Sequence, residues 1–178
     1  MDLLLVIDMQ NVYRPGEEWG CPRMAEITEN IKSLLEAGVP AVFTRFVPPR
    51  EPLGTWRDYN RDYAHINASA YLNDMVEELK PYLTSHPVVE KSTYSSWTEE
   101  VADLARDYDR VLITGVVADC CVLSTLMAVI DSGKKAIYLP DCVAGQVPQH
   151  EAAVRMIAEI YVPMHTLVMD SGEYLASK

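Results

Sequence analysis

Asp8, Lys91 and Cys121 stand far apart in the chain, yet their types suit one chemistry. A carboxylate takes the proton from a thiol, and the sulfur attacks a carbonyl carbon. Cys121 opens a helical stretch after Gly115-Val116-Val117-Ala118-Asp119-Cys120. At a helix N-terminus the dipole and free N–H groups favour the thiolate. Those N–H groups can also hold an oxyanion. A buried apolar cysteine is the alternative. Cys120 competes as nucleophile, and the Cys120-Cys121 pair can serve thiol redox chemistry, although no CxxC occurs. Asp8 ends an apolar strand and precedes Met9-Gln10-Asn11. It is placed to act as a buried base, or else to cap the next turn. Lys91, in Glu90-Lys91-Ser92-Thr93-Tyr94-Ser95, can hold a thiolate and orient Asp8 if it faces the same crevice. Otherwise it is a solvated lysine at a strand end.

These residues need elements that gather them. Leu3–Ile7 reads as a first strand, apolar throughout and so covered on both faces. Residues 23–37 carry Met24, Ile27, Ile31, Leu34 and Leu35 at helical spacing, closed by Gly38. Val39–Phe46 reads as a second strand, with Pro40 tolerated only at its start. A short helix is expected over Leu72–Leu79 and a short strand at Val88–Val89. Trp97–Tyr108 reads as a helix, with Ser96 as cap and Glu99 three residues on. Arg110–Thr114 is the next strand and 121–132 the next helix, closed by Gly133. Strand Ala136–Leu139, helix Gln149–Ile160 and strand Met164–Met169 follow. This alternation predicts an α/β, three-layer αβα fold with a mainly parallel sheet. It is expected to form a single domain over 1–178, with a loop insertion at 47–69 of the length that often builds a binding loop. Ligands of such sheets bind beyond the carboxyl ends of the strands, where Asp8, Thr44-Arg45, Lys91 and Gly115 fall.

Twenty-six acidic residues against 15 basic ones give a net charge of -11. That balance argues against nucleic acid or an anionic membrane surface as partner. No apolar stretch approaches the length of a membrane helix. Asp2 and Asp8 flank the first apolar run, where a signal peptide needs a basic flank and a longer run. Four cysteines, two of them adjacent, are too few for a stapled scaffold, so a reduced, cytoplasmic chain is expected. Neither GxGxxG nor GxxxxGK[ST] occurs, and no cofactor is expected.

Three separated segments resemble the isochorismatase-like cysteine hydrolases, which include nicotinamidases, N-carbamoylsarcosine amidases and ureidoacrylate hydrolases. Leu5–Asn11 resembles the opening strand and acid, Lys91–Ser95 the lysine segment, and Thr114–Val122 the nucleophile segment. Gly133 and Pro140-Asp141 follow the same pattern. The resemblance implies an Asp8–Lys91–Cys121 triad, with Cys121 rather than Cys120 as nucleophile because Val122 follows it. It also implies a cis Val116–Val117 peptide and an oxyanion hole formed by the N–H groups of Val117 and Cys121. The implied activity is hydrolysis of a small amide, carbamoyl or ureido compound through a thioester, by a homo-oligomer (dimer or tetramer).

The chain departs from the nicotinamidases of that family. They bind a metal through an Asp-x-His and further histidines after the second strand. Here Thr44–Arg50 holds neither residue, and His65 is the only histidine in the insertion. No metal is expected. Arg45 stands near the missing ligand, and Arg50, Arg57 and Arg61 follow. Arginine clamps carboxylates, so a substrate carrying a carboxylate held by Arg45 is expected. Surface pairing with Glu51, Asp58 and Asp62 is the alternative. Tyr13, Trp19 and Trp56 are expected to wall the pocket, and Tyr59 and Tyr63 can join them. A thiol redox protein and a non-catalytic binding protein on this scaffold are the competing functions.

Overall fold

A computed structural model describes all residues 1–178. Six strands form one sheet in the order β3–β2–β1–β4–β5–β6, every neighbouring pair parallel. They are β1 Asp2–Ile7, β2 Ala41–Phe46, β3 Val88–Lys91, β4 Arg110–Val116, β5 Lys135–Ala144 and β6 Thr166–Val168. The longer helices are α1 Met24–Glu36, α6 Leu123–Asp131 and α7 Pro148–Ile160. Shorter ones are α2 Trp56–Asp62, α3 Ala64–Asn67, α4 Ala70–Asn73, α5 Glu99–Leu104 and α8 Ser171–Ala176. No helix is long and apolar enough to cross a membrane.

The continuous apolar run of β1 follows from its place in the middle of a sheet covered on both faces. Successive side chains alternate, so Leu4 and Val6 enter one core while Leu3, Leu5 and Ile7 enter the other. The first core takes Ile27, Ile31 and Leu34 from α1 and Tyr174 from α8. The second takes Val101 from α5, Leu126 and Val129 from α6, and Val154 from α7. Each such aliphatic side chain stabilises the fold by about 1.5–3 kcal/mol relative to exposure. The chain leaves β1 toward β2 on one side and β4 toward β5 on the other. The connections diverge there and leave a crevice at the carboxyl edge between β1 and β4.

Several elements differ from the sequence expectation. Residues 72–79 do not form one helix. The single turn of α4 ends at Asn73, Met75 pairs with Gln10 in an antiparallel bridge, and a 3₁₀ stretch runs over Glu77–Thr84. Asn73 Nδ2 donates to the carbonyls of Ile66 and Ser69, and this compact loop competes with helix continuation. Helix α5 is shorter than Trp97–Tyr108 because Thr98, not Ser96, caps it, accepting from the Val101 N–H. Strand β5 runs on past Leu139 through Pro140, and its pairing with β4 shifts register between Ile113 and Gly115. Within residues 47–69, the stretch from Trp56 onward is helical.

Gly115 lies in β4 opposite Ile7 with φ +107°, and a Cβ there would fall 2.1 Å from the Ile7 carbonyl oxygen. Only glycine lets β1 and β4 approach so closely beside the crevice. Gly115→Ala is expected to lower unfolding free energy by about 3 kcal/mol or more, measured by urea denaturation. A change under about 1 kcal/mol would mean that the two strands part without penalty.

Candidate active site

Asp8 is the first residue beyond β1. Its φ of +51° is a left-handed conformation that few non-glycine residues adopt. The turn leaves its side chain fully buried. Gln10 fixes the same turn, donating through Nε2 to the Phe46 carbonyl (3.0 Å) and accepting the Phe46 N–H (2.9 Å). A side-chain amide thus continues the β1–β2 ladder. Lys91 ends β3. Cys121 lies in a π-helical turn, Ala118–Val122, that leads into α6. The Val116–Val117 peptide before it is cis.

Lys91 brings these termini together. Its ammonium has three N–H groups and three partners. Asp8 Oδ2 lies at 2.5 Å, Cys121 Sγ at 3.2 Å and the Tyr94 carbonyl at 2.9 Å. The Phe46 ring centroid lies 5.4 Å from Nζ. The Lys91 and Asp8 side chains are 1% and 0% exposed, so water does not screen the pair. Removing one partner of such a pair costs about 3–5 kcal/mol.

A second set of bonds holds the pair from behind. Thr44 Oγ1 donates to Asp8 Oδ1 (2.9 Å), so its bond to Ser96 Oγ (2.9 Å) must run from Ser96 to Thr44. The Ser96 N–H donates to Thr125 Oγ1 (2.8 Å), and Thr125 donates to the Cys121 carbonyl (2.6 Å). All three hydroxyl residues are fully buried. This relay ties the acid to the backbone of the nucleophile.

Burial pushes the Cys121 thiol far up, and the Asp8 carboxylate adds to it against the opposing pull of Lys91. Burial acts to lower the Lys91 pKa, but the charges of Asp8 and Cys121 outweigh it and the net direction is up. Burial and Asp8 thus oppose the thiolate that was expected, while the Lys91 ammonium at 3.2 Å favours it. Cys120 is pushed up to about 11, by burial first and then by Asp119.

A cavity of about 350 Å³ borders Cys120 and Cys121. Tyr13, Trp19, Phe46, Tyr59, Tyr63 and Tyr94 wall it, and Glu18 and Gln146 complete it. The N–H of Val117 makes no bond to another backbone group. The buried thiol of Cys121 borders this half-open space, and the ion pair reaches its sulfur through Lys91.

The family model for the isochorismatase domain matches residues 2–171. The chain belongs to the isochorismatase family. Relatives span its whole fold. N-carbamoylsarcosine amidase from an Arthrobacter species is 26% identical over 156 residues, covering 80% of this chain and 59% of that one. The chain therefore spans less than two-thirds of that relative's length. A cysteine hydrolase from Pseudomonas syringae superposes with a TM-score of 0.83 at 22% identity, over 98% of this chain and 91% of that one. An isochorismatase-like hydrolase from Alkaliphilus metalliredigens gives 0.80 at 20% identity, over 99% and 98%.

Within this family member, Tyr13 and Trp19 stand in the cavity wall, while two other residues require correction. Arg45 does not reach the cavity. It follows Thr44 on β2, and since Thr44 faces Asp8, alternation sends Arg45 to the opposite face. There it pairs with Glu90 and lines a separate cavity with Pro48, Asn67 and Asp74. Trp56 stands behind the wall, 5.0 Å from Tyr94 and 5.1 Å from Tyr59, and borders a different hollow. Phe46, Tyr94, Glu18 and Gln146 were not singled out from sequence. Phe46 was findable, because it sits two residues from Thr44 on the face that meets Asp8. The residues do not fit a nicotinamidase-type metal: no three His, Cys, Asp or Glu side chains gather, and His65 Nε2 instead meets Glu18 Oε2 at 2.7 Å.

Thr44→Val deletes the hydroxyl that orients Asp8 and leaves Ser96 without its acceptor. It is expected to destabilise the fold by about 1–3 kcal/mol in urea denaturation. A loss below about 0.5 kcal/mol would show that the relay contributes nothing to holding the acid.

Proposed function

We propose that the protein is a cysteine-dependent hydrolase of a small amide, carbamoyl or ureido compound. The observation that carries this is the Cys121 sulfur held 3.2 Å from the ammonium of a buried Asp8–Lys91 pair, at the wall of a small cavity. Family membership and the likeness to N-carbamoylsarcosine amidase support it.

Because the thiol rests protonated, attack and deprotonation go together. Asp8 takes the thiol proton as sulfur bonds to the carbonyl carbon. The N–H groups of Val117 and Cys121 receive the oxyanion. The carbon–nitrogen bond breaks, Asp8 returns the proton to nitrogen, and ammonia or an amine leaves a thioester. Water then attacks as Asp8 takes its proton; the carbon–sulfur bond breaks, and the proton returns to sulfur. Lys91 offsets the negative charge while it resides on sulfur.

The proposal includes a cytoplasmic homo-oligomer. Met156 and Ile160, exposed one helical turn apart on α7, with exposed Val162 and Met164 following, support self-association.

Ammonia release from a panel of carboxamides, N-carbamoyl and ureido compounds is the test. Cys121→Ala and Asp8→Asn are each expected to lower kcat/KM by about 10²–10⁴-fold or more with the fold intact. Cys120→Ser is expected to stay within about threefold. Turnover surviving in Cys121→Ala, or lost in Cys120→Ser alone, would contradict the assignment.

A further inference from the structure

The cavity beside Cys121 has an electrostatic character opposite to that of a carboxylate site. Its wall is a chain of rings. Trp19 lies 5.0 Å from Tyr63 edge-on, and 6.0 Å from both Tyr13 and Tyr59. Tyr59 lies 4.8 Å from Tyr63 and 6.3 Å from Phe46. The interplanar angles run from 29° to 79°, so the rings that line the space are turned in different directions. A ring face is electrostatically negative and attracts a cation within about 6 Å of its centroid.

The formal charges point the same way. Glu18 is the one charged side chain in the lining, and no lysine or arginine joins it. Lys91 lies nearest, but its three N–H groups are already engaged by Asp8, Cys121 and Tyr94. Arg45 faces another cavity and is paired with Glu90. Of the imidazoles nearby, His65 meets one Glu18 oxygen, Oε2, at 2.7 Å and leaves Oε1 without a protein partner, while His150 Nδ1 lies 3.1 Å from Asp119 Oδ1. A carboxylate entering this space would lose its water and meet no free cation.

We infer that the substrate is a small amide bearing a cationic ammonium or quaternary ammonium group, which the aromatic wall and Glu18 hold while its carbonyl meets Cys121. The inference rests on the hydrolase proposal for the reacting end and on the cavity for the charge. A cavity of about 350 Å³ is at the small end of ligand sites, which fits a compact cation.

Three amides of matched size separate charge from shape: cationic betaine amide, its neutral isostere 3,3-dimethylbutanamide, and anionic malonamate. Binding to Cys121→Ala by calorimetry reads the cavity without requiring turnover. Betaine amide is expected to bind about tenfold more tightly than the isostere, and malonamate most weakly. Adding Glu18→Gln is expected to narrow the cation-to-isostere ratio by about threefold or more. Equal binding of cation and isostere, preference for malonamate, binding of none, or a ratio unmoved by Glu18→Gln would each overturn the inference. Ammonia release by wild type then separates the two proposals. Cation-selective binding without release from any of the three counts against the hydrolase reading alone. Release favouring malonamate counts against the charge inference alone.

Discussion

An ammonium and a carboxylate 2.5 Å apart, both out of reach of water, constrain everything built around them. Burying either charge alone costs several kcal/mol, and their attraction compensates only where the remaining hydrogen bonds are made. Here they are made by groups from different strands and loops. Thr44 of β2 serves the carboxylate, while the Tyr94 carbonyl and the Cys121 sulfur serve the ammonium. The carboxyl ends of β1, β2 and β3 and the start of the Ala118–Val122 turn must therefore meet within a few ångströms. The central position of β1, the approach allowed by Gly115 and the Gln10 clamp on Phe46 all serve that meeting.

The same burial decides the state of the nucleophile. A helix terminus stabilises an anion by at most about 2 kcal/mol, under two pKa units. Desolvation of a fully buried group reaches about 3–5 units in the other direction. At Cys121 the larger effect prevails, and the Asp8 carboxylate reinforces it. Lys91 supplies an opposing pull that becomes most useful once the proton has moved.

Much of this was legible in the chain. The unbroken apolar run Leu3–Ile7 announces a doubly covered parallel strand, and the strand–helix alternation announces the layers. Asp8, Lys91 and Cys121 share the strand-end positions where ligands of such sheets bind, and the structure brings all three into contact. What escaped was decided by side-chain direction and local competition. Arg45 was placed in the crevice because it ends a strand, but one step of the pleat separates it from Thr44 and turns it away. Ser96 resembled a helix cap; the better-placed Thr98 took that role and freed Ser96 for the relay behind Asp8. Trp56 belongs to the right cluster of rings but one layer out. The 72–79 segment lost its helix to hydrogen bonds from Asn73 that no periodicity records.

Where the arginines went also changes what the cavity accepts. With Arg45 paired to Glu90 outside it, the space beside the thiol is one of rings and one carboxylate. All of the chemistry assigned to that space depends on a protonated sulfur resting beside the ion pair. Thiolate absorbance near 240 nm, followed from pH 6 to 10 as the difference between wild type and Cys121→Ser, reads that state directly. No Cys121 thiolate is expected below its ordinary pKa of 9.0. An ionisation step near or below neutral pH, lost in Cys121→Ser, would show a preformed thiolate and contradict the account.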